Sequence, residues 1–289
     1  PAAAARASSI STAAMSERRG KGAGSTPGRP GTALPFASFA AALALGGLVA
    51  LGRGGAANAE ILIGTSVPLV ADFQGEQILR GVEMAVADLN AAGGVLGDEL
   101  RLVTIDDDCD GEQALAAARV FAVEQVVVVA GHLCSDASLA AAPTYEEAGI
   151  VMISPGSTNP RLTEEGRRNV FRVVGRDDQQ GTIAAARLAG EWNDARIVIL
   201  SDDTAYGGGL AAETRRELNR LGVTEVLFET YAAGRSDYSQ VVDHLAAADA
   251  DVVYVGGNYP ELALIVRQAR ARGLHAQFVA GDGIATEVF

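Results

Sequence analysis

From Glu60 onward the chain alternates short runs rich in β-branched residues with longer segments whose apolar residues recur at helical spacing. Alternation of this kind restricts the fold more than any other feature, because strand–helix–strand units return each strand parallel to the last. Residues 61–67, 100–105, 126–130 and 150–154 read as buried strands, and 76–92, 112–124 and 138–148 as the helices between them. On the first helix Ile78, Val82, Ala85, Val86 and Leu89 share a face, and Gly93-Gly94 closes it. A second series begins after a strand at 170–174. Helices at 180–192, 209–221, 238–248 and 260–272 then alternate with strands at 196–201, 226–229, 252–255 and 277–280. The expected fold is α/β, with two doubly wound parallel-sheet lobes over 60–175 and 176–289 joined near Gly175-Arg176-Asp177. The second series stops at Phe289, just after a strand and its loop, so the second lobe is expected to be incomplete and the protein truncated at its C-terminus.

Before Glu60 the pattern is different. Arg18, Arg19, Lys21 and Arg29 precede an apolar run over 34–51, which Ala57-Asn58-Ala59 follows. A basic region, an apolar run and a small-x-small site predict a secretory signal peptide within 1–59, cleaved after Ala59, with residues 1–14 upstream of a start at Met15. The alternative is an uncleaved anchor, for which the run is short and interrupted by Pro35 and Gly46-Gly47. The exported part then carries 17 basic against 35 acidic residues, a net −18. Such a surface repels nucleic acid and anionic lipid, so a nucleic-acid role is excluded. Cys109 and Cys134 both fall in that part. In an oxidising compartment two thiols pair, the alternative being two free buried ones.

In open α/β sheets, ligands bind beyond the carboxyl ends of the strands. The first such loop, from Val67 to Gly75, lacks G-x-G-x-x-G, which removes the nucleotide-binding fingerprint from its place. Tyr206-Gly207-Gly208-Gly209, in a later strand-to-helix loop, lacks the spacing of a phosphate site. The loops Gly131-His132-Leu133-Cys134-Ser135-Asp136 and Ser154-Pro155-Gly156-Ser157-Thr158-Asn159-Pro160 are rich in hydroxyls and backbone amides. A helix start with free N–H groups beside a serine hydroxyl suits a carboxylate, although Ser135 and Thr158 equally suit capping and turn roles. Catalytic readings fare worse. There is no G-x-S-x-G elbow or His-Glu-x-x-His, and His132, His244 and His275 have no ligand spacing. The run Asp106-Asp107-Asp108 lacks the spaced ligands of a calcium loop. No metal or cofactor is expected, and no enzyme activity.

Several of these stretches together resemble the leucine/isoleucine/valine-binding proteins, the substrate-binding components of branched-chain amino-acid ABC transporters. The matching residues are Gly81-Val-Glu-Met-Ala-Val-Ala-Asp-Leu-Asn90, Gly93-Gly94-Val95-Leu96-Gly97, Asp106-Asp-Asp-Cys-Asp110, Gly131-His-Leu-Cys-Ser135 and Tyr145-Glu-Glu-Ala-Gly149. Gly256-Gly257, Pro260-Glu261 and Arg267-Gln268-Ala269 continue the match. The resemblance implies a Venus-flytrap fold of periplasmic binding protein type I that traps a free amino acid, branched-chain or otherwise aliphatic, for a permease–ATPase complex. A monomer located in the periplasm or otherwise outside the cytoplasm is expected. A sensor domain for an amide, urea or other small solute is the alternative on the same fold. By the same resemblance Ser135, Gly156 and Thr158 meet the ligand's carboxylate and ammonium groups from the first lobe, and Asp282 meets the ammonium from the second. Phe73 and Tyr206 offer apolar surface, and Cys109 and Cys134 form the family disulfide. Asn258 stands where the family often has tyrosine, which leaves room for a more polar side chain.

Overall fold

A computed structural model of the protein describes residues 60–69 and 73–285. The leader and cleavage site read at 1–59 lie outside the described residues, as do the side chain of Phe73 and positions 286–289. The first lobe holds strands β1 (Glu60–Val67), β2 (Glu99–Asp106), β3 (Val128–Ala130), β4 (Val151–Ser154) and β5 (Val170–Arg172). They pair in parallel in the order β2-β1-β3-β4-β5, with β1 and β2 aligned from Glu60↔Glu99 to Val67↔Asp106. Between them run α1 (Phe73–Ala91), α2 (Gly111–Val123), α3 (Ser135–Ala148) and the short α4 (Arg161–Glu164). Residues 173–176 cross to α5 (Asp177–Glu191), which opens the second lobe. There β6 (Ile197–Asp202), β7 (Leu227–Tyr231), β8 (Val252–Gly256) and β9 (Gln277–Ala280) lie in the order β7-β6-β8-β9, again all parallel. Helices α6 (Ala205–Arg220), α7 (Ser239–Ala247) and α8 (Tyr259–Ala271) connect them, and a 3-10 turn, Asp282–Ile284, follows β9.

The second sheet shows why its strands read as unbroken apolar runs. Ile197, Ile199 and Tyr254 pack against Leu188, Leu210 and Leu218 on the α5–α6 side. Val198, Leu200, Val253 and Val255 pack against Leu245, Leu262 and Ile265 on the α7–α8 side. With both faces covered, successive side chains of the two central strands, β6 and β8, are all buried, as in other parallel sheets. In the first lobe Val129, Met152 and Val170 pack against Phe121, Ala141 and Tyr145 of α2 and α3. Side chains on the opposite face are more open, with Phe171 50% and Val173 73% exposed.

Four helices begin three or more residues earlier than their apolar periodicity predicts, α1 at Phe73 and α5 at Asp177 among them. α3 starts at Ser135 rather than 138, and α6 at Ala205 rather than 209. In α6 the cause is a cap: the Thr204 hydroxyl accepts the Gly207 N–H at 3.0 Å. The Gly207-Gly208-Gly209 run, read as loop from sequence, therefore lies inside the helix. A methyl group at Gly207 would collide with the Asp202 carboxylate and the Gly256 carbonyl, so glycine lets α6 approach β6 and β8 closely.

Cys109 and Cys134 form a disulfide between the turn after β2 and the start of α3, 25 positions apart, leaving no free cysteine. On loop entropy a closure of that length stabilises by roughly 3 kcal/mol. Replacing both residues (Cys109→Ser with Cys134→Ser) should therefore lower the urea midpoint of the full-length protein by the equivalent of that amount. A midpoint equal to that of the oxidised wild type would contradict this.

Candidate functional site

A cavity of about 410 Å³ opens between the two lobes. Gln74 follows β1, Cys109 to Gly111 follow β2, Leu133 to Asp136 follow β3, and Gly156 and Thr158 follow β4. From the second lobe come Asp203, Thr204 and Tyr206 after β6, Asn258 after β8, and Asp282 and Gly283 after β9. Every wall thus comes from the carboxyl end of a strand, beside the point where each sheet's strand order reverses. Ser135, Gly156, Thr158, Tyr206, Asn258 and Asp282 all line this one space, with Cys109 and Cys134 at its wall. Phe73 is the first residue of α1 rather than part of a loop.

On the first lobe, Cys134 takes the N-cap position of α3 in an extended conformation and makes no side-chain cap bond. The first N–H groups of that helix thus remain for a ligand. Ser135 accepts the Asn159 N–H on its hydroxyl oxygen at 3.2 Å, which leaves its proton free to donate. Thr158 Oγ1 is buried and makes no hydrogen bond among the described residues. Gly156 runs directly beneath Leu133: a methyl group there would meet the Leu133 carbonyl oxygen at 3.1 Å and a Leu133 methyl closer still.

A buried network holds these loops. His132 reaches Asp107 Oδ2 through Nδ1 at 2.6 Å and the Tyr145 hydroxyl through Nε2 at 2.9 Å, and Ser66 donates to the same Asp107 oxygen. All four side chains are fully buried. Burial, with Asp107 nearby, raises the pKa of the Tyr145 phenol. The His132 carbonyl in turn accepts the Ser154 hydroxyl at 2.8 Å, and Asp107 Oδ1 accepts the Cys109 N–H. The Arg172 guanidinium donates to the carbonyls of Ser157 and Asn159 and to Thr163 Oγ1, fixing the 156–160 loop from behind. Asp106 accepts the Leu69 and Asp108 N–H groups, so the aspartate run serves local turns.

On the second lobe, Asp282 Oδ1 accepts the Tyr206 hydroxyl at 2.7 Å and Gln180 Nε2 at 2.9 Å. Gly283 N–H donates back to the Tyr206 oxygen at 2.8 Å. Tyr206 thus bonds Asp282 through its hydroxyl, where the resemblance implied only an apolar surface. Burial, reinforced by Asp282, raises its pKa and keeps it a donor. Asp282 Oδ2 has no hydrogen bond among the described residues. Gln180 and Asp136 escape a sequence reading, since Gln180 meets its partner 102 positions away and Asp136 meets its own 69 away.

The family described as periplasmic binding protein matches residues 60–288. A Leu/Ile/Val-binding protein homolog 1 of Brucella suis is 42% identical over 246 residues, 84% of this chain and 66% of the relative. An amino acid binding protein of Pseudomonas aeruginosa is 43% identical, over 80% of this chain and 63% of its own length. The chain therefore spans just under two thirds of these curated relatives. A crystal structure of LivJ from Streptococcus pneumoniae, a branched-chain amino acid transporter substrate binding protein in complex with isoleucine, superposes with a TM-score of 0.67. Its identity is 30%, over 78% of this chain and 65% of that one.

Beneath Thr158, where the backbone passes between lobes, lies Asp177. Its N–H donates to the Thr158 carbonyl at 3.1 Å, while both carboxyl oxygens are buried without a hydrogen bond among the described residues. Burial raises its pKa to about 7; the nearby Thr158 hydroxyl, outside hydrogen-bond geometry, and Arg172 pull it down, and Asp282 pushes it further up. Asp202, buried behind Thr204, is raised to about 6 for the same principal reason. Because the folded pKa of Asp177 exceeds the unfolded value of about 3.9, the stability it contributes is complete below the unfolded value. It is lost as pH rises through about 7. Asp177→Asn should make thermal stability of the full-length protein less dependent on pH, with its largest advantage over wild type in the most alkaline buffer. Parallel melting curves across that range would refute it.

Proposed function

The chain belongs to the periplasmic binding protein family, and on that premise we propose that it captures a free amino acid, branched-chain or otherwise aliphatic, for an ABC importer. The observation that carries this reading is the convergence of groups for both ends of a zwitterion on one interlobe cavity. A zwitterion leaves water only where both of its charges are met. The Ser135 proton, the buried Thr158 hydroxyl and the first N–H groups of α3 suit the carboxylate. Asp282 Oδ2 and the Gly156 carbonyl suit the ammonium, with Oδ1 of Asp282 already fixed by Tyr206 and Gln180. Leu133 and the Tyr206 ring border the space left for a side chain, and Asn258 adds a polar edge to it.

The lobes, assigned to 60–175 and 176–289, close around the ligand because it touches both, and a membrane permease–ATPase complex reads that closure. No bond is made or broken. The leader read at 1–59 directs the chain out of the cytoplasm, where such capture takes place. The names and bound ligand of the relatives agree with this reading.

Titration of the full-length protein with the common amino acids by calorimetry tests it. An aliphatic amino acid should bind, and at a hundred times its Kd should raise stability by about 2.7 kcal/mol. Thr158→Ala, Ser135→Ala and Asp282→Asn should each weaken binding by roughly tenfold or more, as loss of a bond to a charged group does. Binding of no amino acid, or full affinity in all three variants, would overturn the assignment.

A further inference from the structure

Apart from the crossover segment, the side-chain hydrogen bonds between the lobes among the described residues converge on one residue. Asp136, on α3 of the first lobe, accepts the backbone N–H of Ala205 on both carboxylate oxygens, at 3.0 and 2.9 Å. Asn159, also of the first lobe, donates from Nδ2 to the Ala205 carbonyl at 2.6 Å. Ala205 is the first residue of α6, in the second lobe. The N–H groups at a helix start have no partner inside the helix, and the helix dipole favours a carboxylate there. Thr204, the helix's own cap, takes the Gly207 N–H and leaves that of Ala205 to the other lobe. The Asp136 carboxylate has no second partner among the described residues.

We propose that Asp136 is the latch of the closed form: from the wall of the cavity it holds α6 against α3 once the lobes meet, and so sets affinity and residence time through that contact. The bond is possible only when the lobes are together, so its free energy belongs to closure alone. It also acts on the site at one remove. Ala205 precedes Tyr206, whose hydroxyl holds the Asp282 carboxylate, so drawing Ala205 toward α3 also places the second-lobe acid over the cavity. Asp136 is thus a positioning residue. This inference rests on the proposed capture by closure, and adds to it the group that keeps the lobes shut.

Two variants remove the contact from opposite sides. Asp136→Ala removes the acceptor. Ala205→Pro removes the donor at a position where proline suits a helix, after a Thr204 already extended at ψ 160°. In the full-length protein each should raise the Kd of whichever amino acid wild type binds by about tenfold, equivalent to about 1.4 kcal/mol. The change should lie mainly in faster dissociation, with the ranking of amino acids and the ligand-free melting temperature unchanged. The double variant should be little weaker than either single one. Small-angle scattering of ligand-free Asp136→Ala should also show a more open mean shape than wild type. Wild-type affinity in both variants would overturn the latch while leaving amino-acid capture standing. If wild type binds no amino acid, capture fails, and the scattering comparison alone decides the latch, an unchanged profile overturning it.

Discussion

Parallel pairing places the loop after every strand on the same edge of its sheet, and the site depends on that constraint. Both sheets obey it, and both turn that edge toward one cavity. Short polar loops with little structure of their own can then converge from positions as far apart as Gln74 and Gly283. An antiparallel hairpin would have sent alternate loops to the opposite edge. The second sheet, whose central strands bury apolar side chains on both faces, and the α2–α3 layer of the first lobe serve as the two platforms from which those loops project.

Loops in this position need support from behind, and the protein supplies it in layers. The disulfide ties the turn after β2 to the start of α3. Beneath it the buried Asp107–His132–Tyr145 network fixes the segment before Ser135, and Arg172 fixes the segment around Thr158. These groups take up the internal hydrogen bonds of the two loops but leave the Thr158 hydroxyl and the Ser135 proton free. A buried hydroxyl without a partner costs free energy until something completes it, and Thr158 is one of the residues lining the cavity. The same economy holds on the second lobe, where Tyr206 and Gln180 bond one oxygen of Asp282 and leave the other.

Much of the fold was legible in the sequence because its signals are local. Runs such as Val252 to Val255 report burial on both faces, and the helical spacing of Ile78, Val82 and Val86 reports a face that is only half-buried. Helix starts were less legible where a cap, and not apolar spacing, decides them, as at Thr204 before a glycine run that looks like loop. Ser135 and Thr158 stood out because their hydroxyls lie in the loops that follow β3 and β4, and both line the cavity. Gln180, Asp136 and Arg172 did not. Their roles come from partners brought close by the fold, and nothing in the residues around them marks a glutamine that holds a distant aspartate. Tyr206 was placed at the site by resemblance, but only its geometry shows that the hydroxyl orients an acid.

In the proposed complex a zwitterion is gripped by hydroxyls and helix N–H groups of one lobe and by a carboxylate of the other. A crystal structure of the full-length protein grown with isoleucine tests it most directly. The ligand carboxylate should lie within hydrogen-bond reach of Ser135 and Thr158 and its ammonium on Asp282, in the cavity between the lobes. Isoleucine held by one lobe only, or lying elsewhere while the Thr158 hydroxyl stays unpaired, would contradict it.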